Sequence, residues 1–368
     1  MSDFHQTDES QPKITTPPLP SHTFTSMEKS SRPDEHEVPP KLRPLRRGLL
    51  SLCVLVAGVH PVAFLFSRHS WTADLLSHFQ EPAFVVTLLA TVIAMAVGGK
   101  RIAIVLLMLV LFQATPLLRY RGRNPVVADP ASRERVRLLM ANVLFDNEMY
   151  EDLEHLIRIE KPDIVGLVEY TPRWSEGLKT LRSEFPYRME WPKGASGLAL
   201  WFKEKPKTIR PPEWLVADGH PVIHASFEFA GEERHLWLVH PRSPLNRGRL
   251  QAGNPEIDAI ADTASKTGGS RIVMGDMNST DGSAHFRDFL KVSGLRDSRL
   301  GFGRQGSWPT DMPYRIAIDH LFLSDDLAVE SRRLGHMVGS DHFPLVVDLA
   351  PAAEQKPSAQ SDQTSKSR

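Results

Sequence analysis

The chain has 368 residues, with 44 basic and 44 acidic side chains, 41% hydrophobic residues and one cysteine. That length admits one large domain or two ordinary ones with a sizeable core, and a lone cysteine excludes an intramolecular disulfide. The stretch Arg119 to Asp348 holds 31 basic and 33 acidic residues, so it lacks the broad basic signature of a protein that grips polyanions without regard to sequence.

Residues 1–48 are rich in Pro, Ser, Thr, Glu and Lys and poor in aromatic and branched aliphatic residues, which predicts a disordered tail. Three apolar runs follow, at 49–66, 82–98 and 102–118, each near the short end of what crosses about 30 Å of hydrocarbon. Three such runs in about seventy residues, almost free of charge, predict three transmembrane helices, with Pro61 and Pro116 expected to kink or end theirs. A cleaved signal peptide does not fit, because nearly fifty polar residues precede the first run. Cys53 reads as an apolar membrane residue rather than a palmitoylation site. Lys41, Arg43, Arg46 and Arg47 flank the first run, and Lys100 and Arg101 sit between the second and third. Placing both groups inside puts everything after the third span outside, although Arg119, Arg121 and Arg123 pull the other way.

Residues 119–134 read as a linker and 135–350 as one globular domain, followed by a second polar tail at 351–368. Arg135 to Asn142 begins with period-2 alternation and predicts a strand, and Leu153, Leu156 and Ile157 mark a helix that Lys161-Pro162 ends before the strand 164–168. A second helix is expected at 174–185. Further strands are expected at 197–202, 222–229, 235–240, 271–275, 316–323 and 344–349, with helices near 254–265 and 284–292. This mixture predicts a layered α/β (α+β) domain.

Polar residues recur where apolar strands end. Asn142 closes the first, Glu169 follows IVGLV, His240 follows HLWLV, and Asp276 with Asn278 follows RIVMG; Asp319 lies in RIAIDHLFLS, and Asp341-His342 precedes the last strand. Oxygen donors of this kind suit a hard cation, Mg²⁺ first and Mn²⁺ as the alternative, and no zinc-type Cys/His spacing competes. A cation on Glu169 can polarise a phosphoryl oxygen, the Asp276/Asn278 pair can orient water, and a His held by an Asp can move a proton or face developing charge.

The ordered series Asn142, Glu169, His240, Gly275-Asp276-Met277-Asn278, Asp319 and Ser340-Asp341-His342 resembles the endonuclease/exonuclease/phosphatase superfamily over about 135–350. Each motif is weak alone; five in the family's order are specific. The resemblance implies a four-layer sandwich of two packed β-sheets flanked by helices, here preceded by three transmembrane helices, as in bacterial membrane-anchored members. It implies a metal site at Glu169, Asn142 and Asp341. Asp276 and Asn278 would position water, His342 oriented by Asp319 would contact the scissile phosphate, and His240 would bind phosphate or assist the leaving group. The substrate would be a phosphodiester or phosphomonoester, borne by nucleic acid, a lipid or a small molecule, hydrolysed by a domain outside the bacterial inner membrane. Besides the lipid bilayer no obligate protein partner is expected. The sequence around His240 departs from the abasic-endonuclease pattern, which disfavours abasic-site repair.

Plainer readings stand beside these. Asn142 could end a strand, Asp276 and Asn278 could build an Asx turn, and Asp341-His342 could be a cap. A tethered binding module without catalysis would also keep the fold, but it predicts a lost ligand position and none is missing. Trp308 fits a family pattern yet reads better as a core aromatic, and His320, beside Asp319 on one strand, should face the other way. Arg242 and Arg249 read as loop arginines rather than phosphate contacts.

Overall fold

The structure, a computed structural model, describes residues 40–353 except 123, 125, 245 and 246, and no side chain at 40, 247 or 249–253. Most of both expected tails, together with Arg123 and the side chain of Arg249, lies outside the described residues. Contacts divide the chain after Leu45, and Arg46–Arg368 is one compact unit.

Four helices come first: α1 (Arg43–Phe66), α2 (Trp71–Ser77), α3 (Gln80–Ala96) and α4 (Lys100–Arg119). The first starts several residues before its apolar run, and both α1 and α4 continue through their prolines, Pro61 and Pro116, instead of ending there. A proline removes one backbone hydrogen bond, which neighbouring helices can absorb. Small residues let the helices approach: Cys53 and Ala57 of α1, Ala90 and Ala94 of α3, and Ala103 of α4 form one buried cluster with Leu50 and Leu106. Cys53 therefore faces the helix cluster. Mean hydropathy reaches 2.3 in α1 and 2.1 in α4, with only 28% and 22% of those windows buried, so their outer faces are apolar and open. These two helices are long and apolar enough to cross a membrane; α3 qualifies only together with α2, from which it is bent by 78°.

The first sheet contains β1 (Val136–Asn142), β2 (Ile164–Val168), β3 (Tyr187–Trp191), β4 (Leu198–Phe202), β11 (Leu327–Leu334) and β12 (Leu345–Pro351), in the order β11-β12-β1-β2-β4-β3. The second contains β5 (Thr208–Ile209), β6 (Ile223–Phe229), β7 (Glu232–Val239), β8 (Ser270–Asp276), β9 (Arg296–Asp297) and β10 (Asp319–Leu323), in the order β5-β6-β7-β8-β10-β9. In each sheet one parallel pair, β1 with β2 or β7 with β8, sits among antiparallel neighbours. Period-2 alternation then divides the side chains. Leu138 and Met140 of β1 meet Leu238, Ile272 and Met274 between the sheets, while Leu139 and Ala141 turn outward. The outward residues pack on α5 (Tyr150–Glu160) and α6 (Pro172–Gly177) through Leu153, Ile157 and Trp174. On the other side Trp237 and Val273 pack on α7 (Arg247–Lys266) and α8 (Ala284–Ser293) through Ile257, Ile260, Phe286 and Phe289. The result is two packed mixed sheets flanked by helices.

Local signals set the boundaries. Thr171 accepts from the Trp174 N–H and Pro172 opens α6, which stops at Gly177; a separate 3-10 turn at Lys179–Ser183 completes what reads in sequence as one helix over 174–185. Ser283 caps α8, and Gly294 ends it in the left-handed conformation. Strands β3 and β11, like the two-residue strands β5 and β9, have no counterpart among the sequence expectations. The first two are sheet-edge strands without clean alternation, β3 being nowhere fully buried.

Candidate active site

The six strands that carry the candidate residues bring them to one edge. β1 and β2 end at Asn142 and just before Glu169; β7 and β8 end just before His240 and at Asp276. Asp319 does not lie mid-strand as the run 316–323 suggests. It begins β10, which runs antiparallel to β8, so its Cα pairs with that of Asp276. His342 likewise precedes β12, antiparallel to β1. The common edge thus takes strand ends from one direction and strand starts from the other.

Asn142 is the hinge of the group. It is buried, and its amide donates to Glu169 Oε1 (3.0 Å) and Asp276 Oδ2 (3.1 Å), while its Oδ1 accepts from the Leu144 N–H (3.0 Å). Glu169 Oε2 accepts from the Phe145 N–H at 3.2 Å. Asp276 Oδ1 accepts from the Asn278 backbone at 2.8 Å, and the Asn278 amide donates to the Pro241 carbonyl at 3.1 Å, tying this loop to the one that follows His240. Glu169 and Asn278 both hold positive φ, 60° and 49°. Asn tolerates that conformation, whereas for Glu it costs about 1–3 kcal/mol, strain of the kind that collects at functional sites. Gly275 is required by contact, because a Cβ there would stand 1.8 Å from the Val239 carbonyl oxygen.

His342 Nδ1 lies 2.8 Å from Asp319 Oδ2, and its Nε2 faces Asp276 Oδ2 at 3.8 Å. Ser340 steadies the loop by donating to the Asn142 carbonyl (2.7 Å) and accepting from the His342 N–H (3.1 Å). Ser307 accepts from the Asp319 N–H. His240 Nε2 stands 3.6 Å from Asp276 Oδ2 and 4.0 Å from Glu169 Oε1. Burial holds the His240 imidazole below its ordinary value, against the pull of Glu169. Burial would also lower His342, but Asp319 and then Asp276 overrule it and push it up to about 10. Burial, then the neighbouring Asp319, pushes the Asp276 carboxyl up to about 7. The two histidines and the two buried aspartates are thus driven apart in proton affinity, as acid/base pairs must be.

Trp308 is not a core aromatic. Its indole N–H donates to Asp341 Oδ2 at 2.9 Å, and its ring lines the cavity. His320 faces away as expected, buried with Nε2 3.0 Å from the Ser279 carbonyl and its ring against Phe286 and Phe322. Arg242 is engaged by the Asp218 carbonyl and Glu256, apart from the cavity lining.

The donor set fits a divalent cation. Among the described residues, every ion pair of Glu169, Asp276, Asp319 and Asp341 is with His240 or His342. Asp319 Oδ1 and Asp341 Oδ1 are buried with no hydrogen-bond partner, so acceptor capacity and negative charge remain in excess. The tightest triple is Asp276, Asp319 and His342, whose ligand atoms lie within 4.8 Å of one another. Asp319 Oδ2 is paired with His342, so in this triple the oxygen left without a hydrogen bond is Asp319 Oδ1.

Residues 139–342 match the model of the Endonuclease/Exonuclease/phosphatase family, more than half of the chain. The chain belongs to that family. It is accordingly a metal-dependent phosphoric ester hydrolase of the endonuclease/exonuclease/phosphatase type. No curated protein matches it. Among solved structures, TDP2 from D. rerio complexed with single strand DNA product has 18% identity and a TM-score of 0.50, covering 58% of this chain and 98% of that one. A humanized D. rerio TDP2 carrying 14 mutations gives 17%, 0.50 and the same coverage. A mannosyl-6-phosphatase from Bacteroides thetaiotaomicron has 16% identity and a TM-score of 0.48, covering 58% of this chain and 99% of that one. At these identities the likeness is one of fold.

The family motifs do not account for the whole cavity. It measures about 250 Å³ and is lined by Glu169, Asp276, Asn278, Asp341 and His342 together with Ser243, Pro244, Trp308, Ile316 and Ile318, and by Leu75, His78 and Phe79 from the turn between α2 and α3. Those last three escape a motif reading because they lie among the apolar runs. The available signal is the spacing of Trp71, Leu75 and Phe79, one helical face in the connection between two runs.

Proposed function

We propose that the protein is a membrane-anchored, Mg²⁺-dependent hydrolase that cleaves a phosphodiester or phosphomonoester by in-line attack of water. The observation that carries this reading is the convergence of Asn142, Glu169, His240, Asp276, Asp319 and His342 on one sheet edge, with carboxylate charge in excess. In it Glu169, Asn142 and Asp341 hold the cation, which when bound offsets negative charge at the phosphoryl and leaving oxygens. Asp276, with both oxygens already oriented by Asn142 and Asn278, aligns the attacking water and draws off its proton. His342, braced by Asp319, donates to an oxygen of the scissile phosphate. His240, on the far side of Asp276, offers a second imidazole to the phosphate or the departing oxygen.

The anchor in this reading is three spans, α1, the bent α2–α3 pair and α4. Arg46 donates to the Val97 and Gly98 carbonyls at one end of the bundle, beside Lys100 and Arg101. At the other end lie contacts to the hydrolase, as in Arg68 with Asp288 and Tyr120 with Arg299. The positive-inside rule then supports a catalytic domain outside the membrane, a bacterial inner membrane by the resemblance. The test is hydrolysis of bis-p-nitrophenyl phosphate, phosphate monoesters, DNA and phospholipid by the full chain in nanodiscs. Turnover that needs Mg²⁺, stops with chelator and is absent in His342→Ala is expected. A folded, metal-binding chain that cleaves none of them would overturn the reading.

A further inference from the structure

The elbow between α2 and α3 is built into the hydrolase. Trp71 donates its indole N–H to the Pro244 carbonyl (3.0 Å), and Asp74 accepts from the Ser283 hydroxyl (2.7 Å). His78 Nδ1 accepts from the Thr280 N–H (3.3 Å) and lies 2.9 Å from its hydroxyl, and Arg304 holds Gln80 (2.6 Å) and Glu81 (3.0 Å). Gly282 is the point of closest approach, since a Cβ there would stand 1.9 Å from the Ser77 carbonyl oxygen. The segment gripping the elbow, Thr280 to Ser283, directly continues the loop of Asp276 and Asn278.

The contacts of Asp74, Gln80 and Glu81 involve residues outside the cavity lining, whereas His78 and Pro244 belong to it. Toward the cavity the elbow presents Leu75 and Phe79 beside the His78 imidazole, and the two apolar side chains with Pro244, Ile316 and Ile318 make an apolar stretch of the same lining that holds the carboxylates. Among the described residues the lining contains no Lys or Arg. The opposite face of α2, through Thr72, Ala73 and Leu76, borders an open apolar groove along α1. One short helix is therefore all that separates the cavity from the surface of a candidate membrane span.

We propose that this elbow is a specificity wall and that the substrate is a phosphate ester with a long apolar group, supplied from the bilayer: the phosphate meets Asp276 and His342 while the apolar group lies along Leu75 and Phe79. The inference rests on the hydrolase reading above. Water adds its oxygen to phosphorus, the bond from phosphorus to the leaving oxygen breaks, and the protons of water end on the leaving alcohol and the product phosphate.

The test uses the full chain in nanodiscs with two matched pairs, ethyl and hexadecyl p-nitrophenyl phosphate and ethyl and hexadecyl phosphate, so the reacting atoms are the same within each pair. A kcat/KM preference for the hexadecyl member of about tenfold or more is expected, falling to about threefold or less in Leu75→Ser/Phe79→Ser. Leu76→Ser, on the far face of the same helix, controls for disturbance of α2 and should keep the preference. Thermal unfolding checks that each variant is folded. Equal kcat/KM within a pair, or a hexadecyl preference that survives the double substitution and so reflects partitioning alone, overturns the specificity wall and leaves the hydrolase standing. Cleavage of neither pair overturns the specificity wall, and the hydrolase reading falls with it only if bis-p-nitrophenyl phosphate, DNA and phospholipid are also left uncut.

Discussion

The two walls of the cavity are made on opposite plans. The sheet-edge wall is polar on its inner face, and most of its side chains are held by other members of the site: Asn142 holds Glu169 and Asp276, Asp319 holds His342, and Trp308 holds Asp341. The elbow wall turns Leu75 and Phe79 inward with the His78 imidazole, which Thr280 fixes, and Ser283 and Arg304 hold its other polar groups, Asp74, Gln80 and Glu81, outside the lining. Preorganised dipoles and charges serve bond breaking, which needs fixed groups at short range. An apolar surface serves selection, since it rewards only the area a substrate buries. Chemistry and recognition thus reside in different parts of the chain, one placed by strand ends and the other by the helices before them.

The largest effect expected is on the polar wall. Glu169→Ala and Asp276→Ala should each lower kcat by about 10³-fold or more on every ester, with a cooperative thermal transition retained because each removes charge from a site with too many carboxylates. A variant with normal turnover would take that residue out of the mechanism.

The joint between the two parts is the next place to break. Arg299 is fully buried; it donates to Asp297 Oδ1 (3.1 Å) and Oδ2 (2.9 and 2.6 Å) and to the Tyr120 hydroxyl (2.9 Å), at the residue where α4 gives way to the hydrolase. Arg299→Met strips Asp297 of its guanidinium partner and should cost about 3–5 kcal/mol in denaturant unfolding, part of it recovered by adding Asp297→Leu. Burial alone would raise the Asp297 carboxyl, but Arg299 and then His320 hold it well below the usual carboxylate range. Its stabilisation is therefore complete above the unfolded value near ~4 and is lost only as pH falls through the depressed folded value. In Arg299→Met burial acts on that carboxyl without the guanidinium to oppose it, so its acid-side loss of stability should shrink or reverse, which unfolding monitored against pH would reveal.

Smaller changes sharpen the division. Trp308→Phe removes the one N–H that orients Asp341 and should weaken Mg²⁺ binding about tenfold, read by titration calorimetry. Gly282→Val pushes the Ser77 carbonyl and tilts the elbow. It should lower the preference for long-chain esters roughly fourfold, about one methylene of burial, with less effect on short ones. An equal fall on both would tie the elbow to the chemistry instead.

The sequence makes the polar wall legible because strand ends have local signatures: an apolar run of period two, then a carboxylate, amide or imidazole. Asn142, Glu169, His240, Asp276 and Asn278 all follow this rule. Asp319 escapes it, since a strand that begins at the site carries its polar residue first, and only the antiparallel pairing with β8 places it beside Asp276. Trp308 reads better as core, because an aromatic residue before a proline carries no sign of what its N–H will meet.

By itself the sequence determined the two-part architecture, the apolar helices before a mixed α/β domain, and most of the residues at the sheet edge, because periodicity and composition are local properties that burial in lipid or in a core enforces. Tertiary structure alone decided that Leu75, His78 and Phe79 join that edge across some two hundred residues of chain. Nothing local to Trp71–Phe79 encodes the loop it will meet; Thr280, Gly282 and Ser283 complete the elbow only once both sheets have packed and brought them to it.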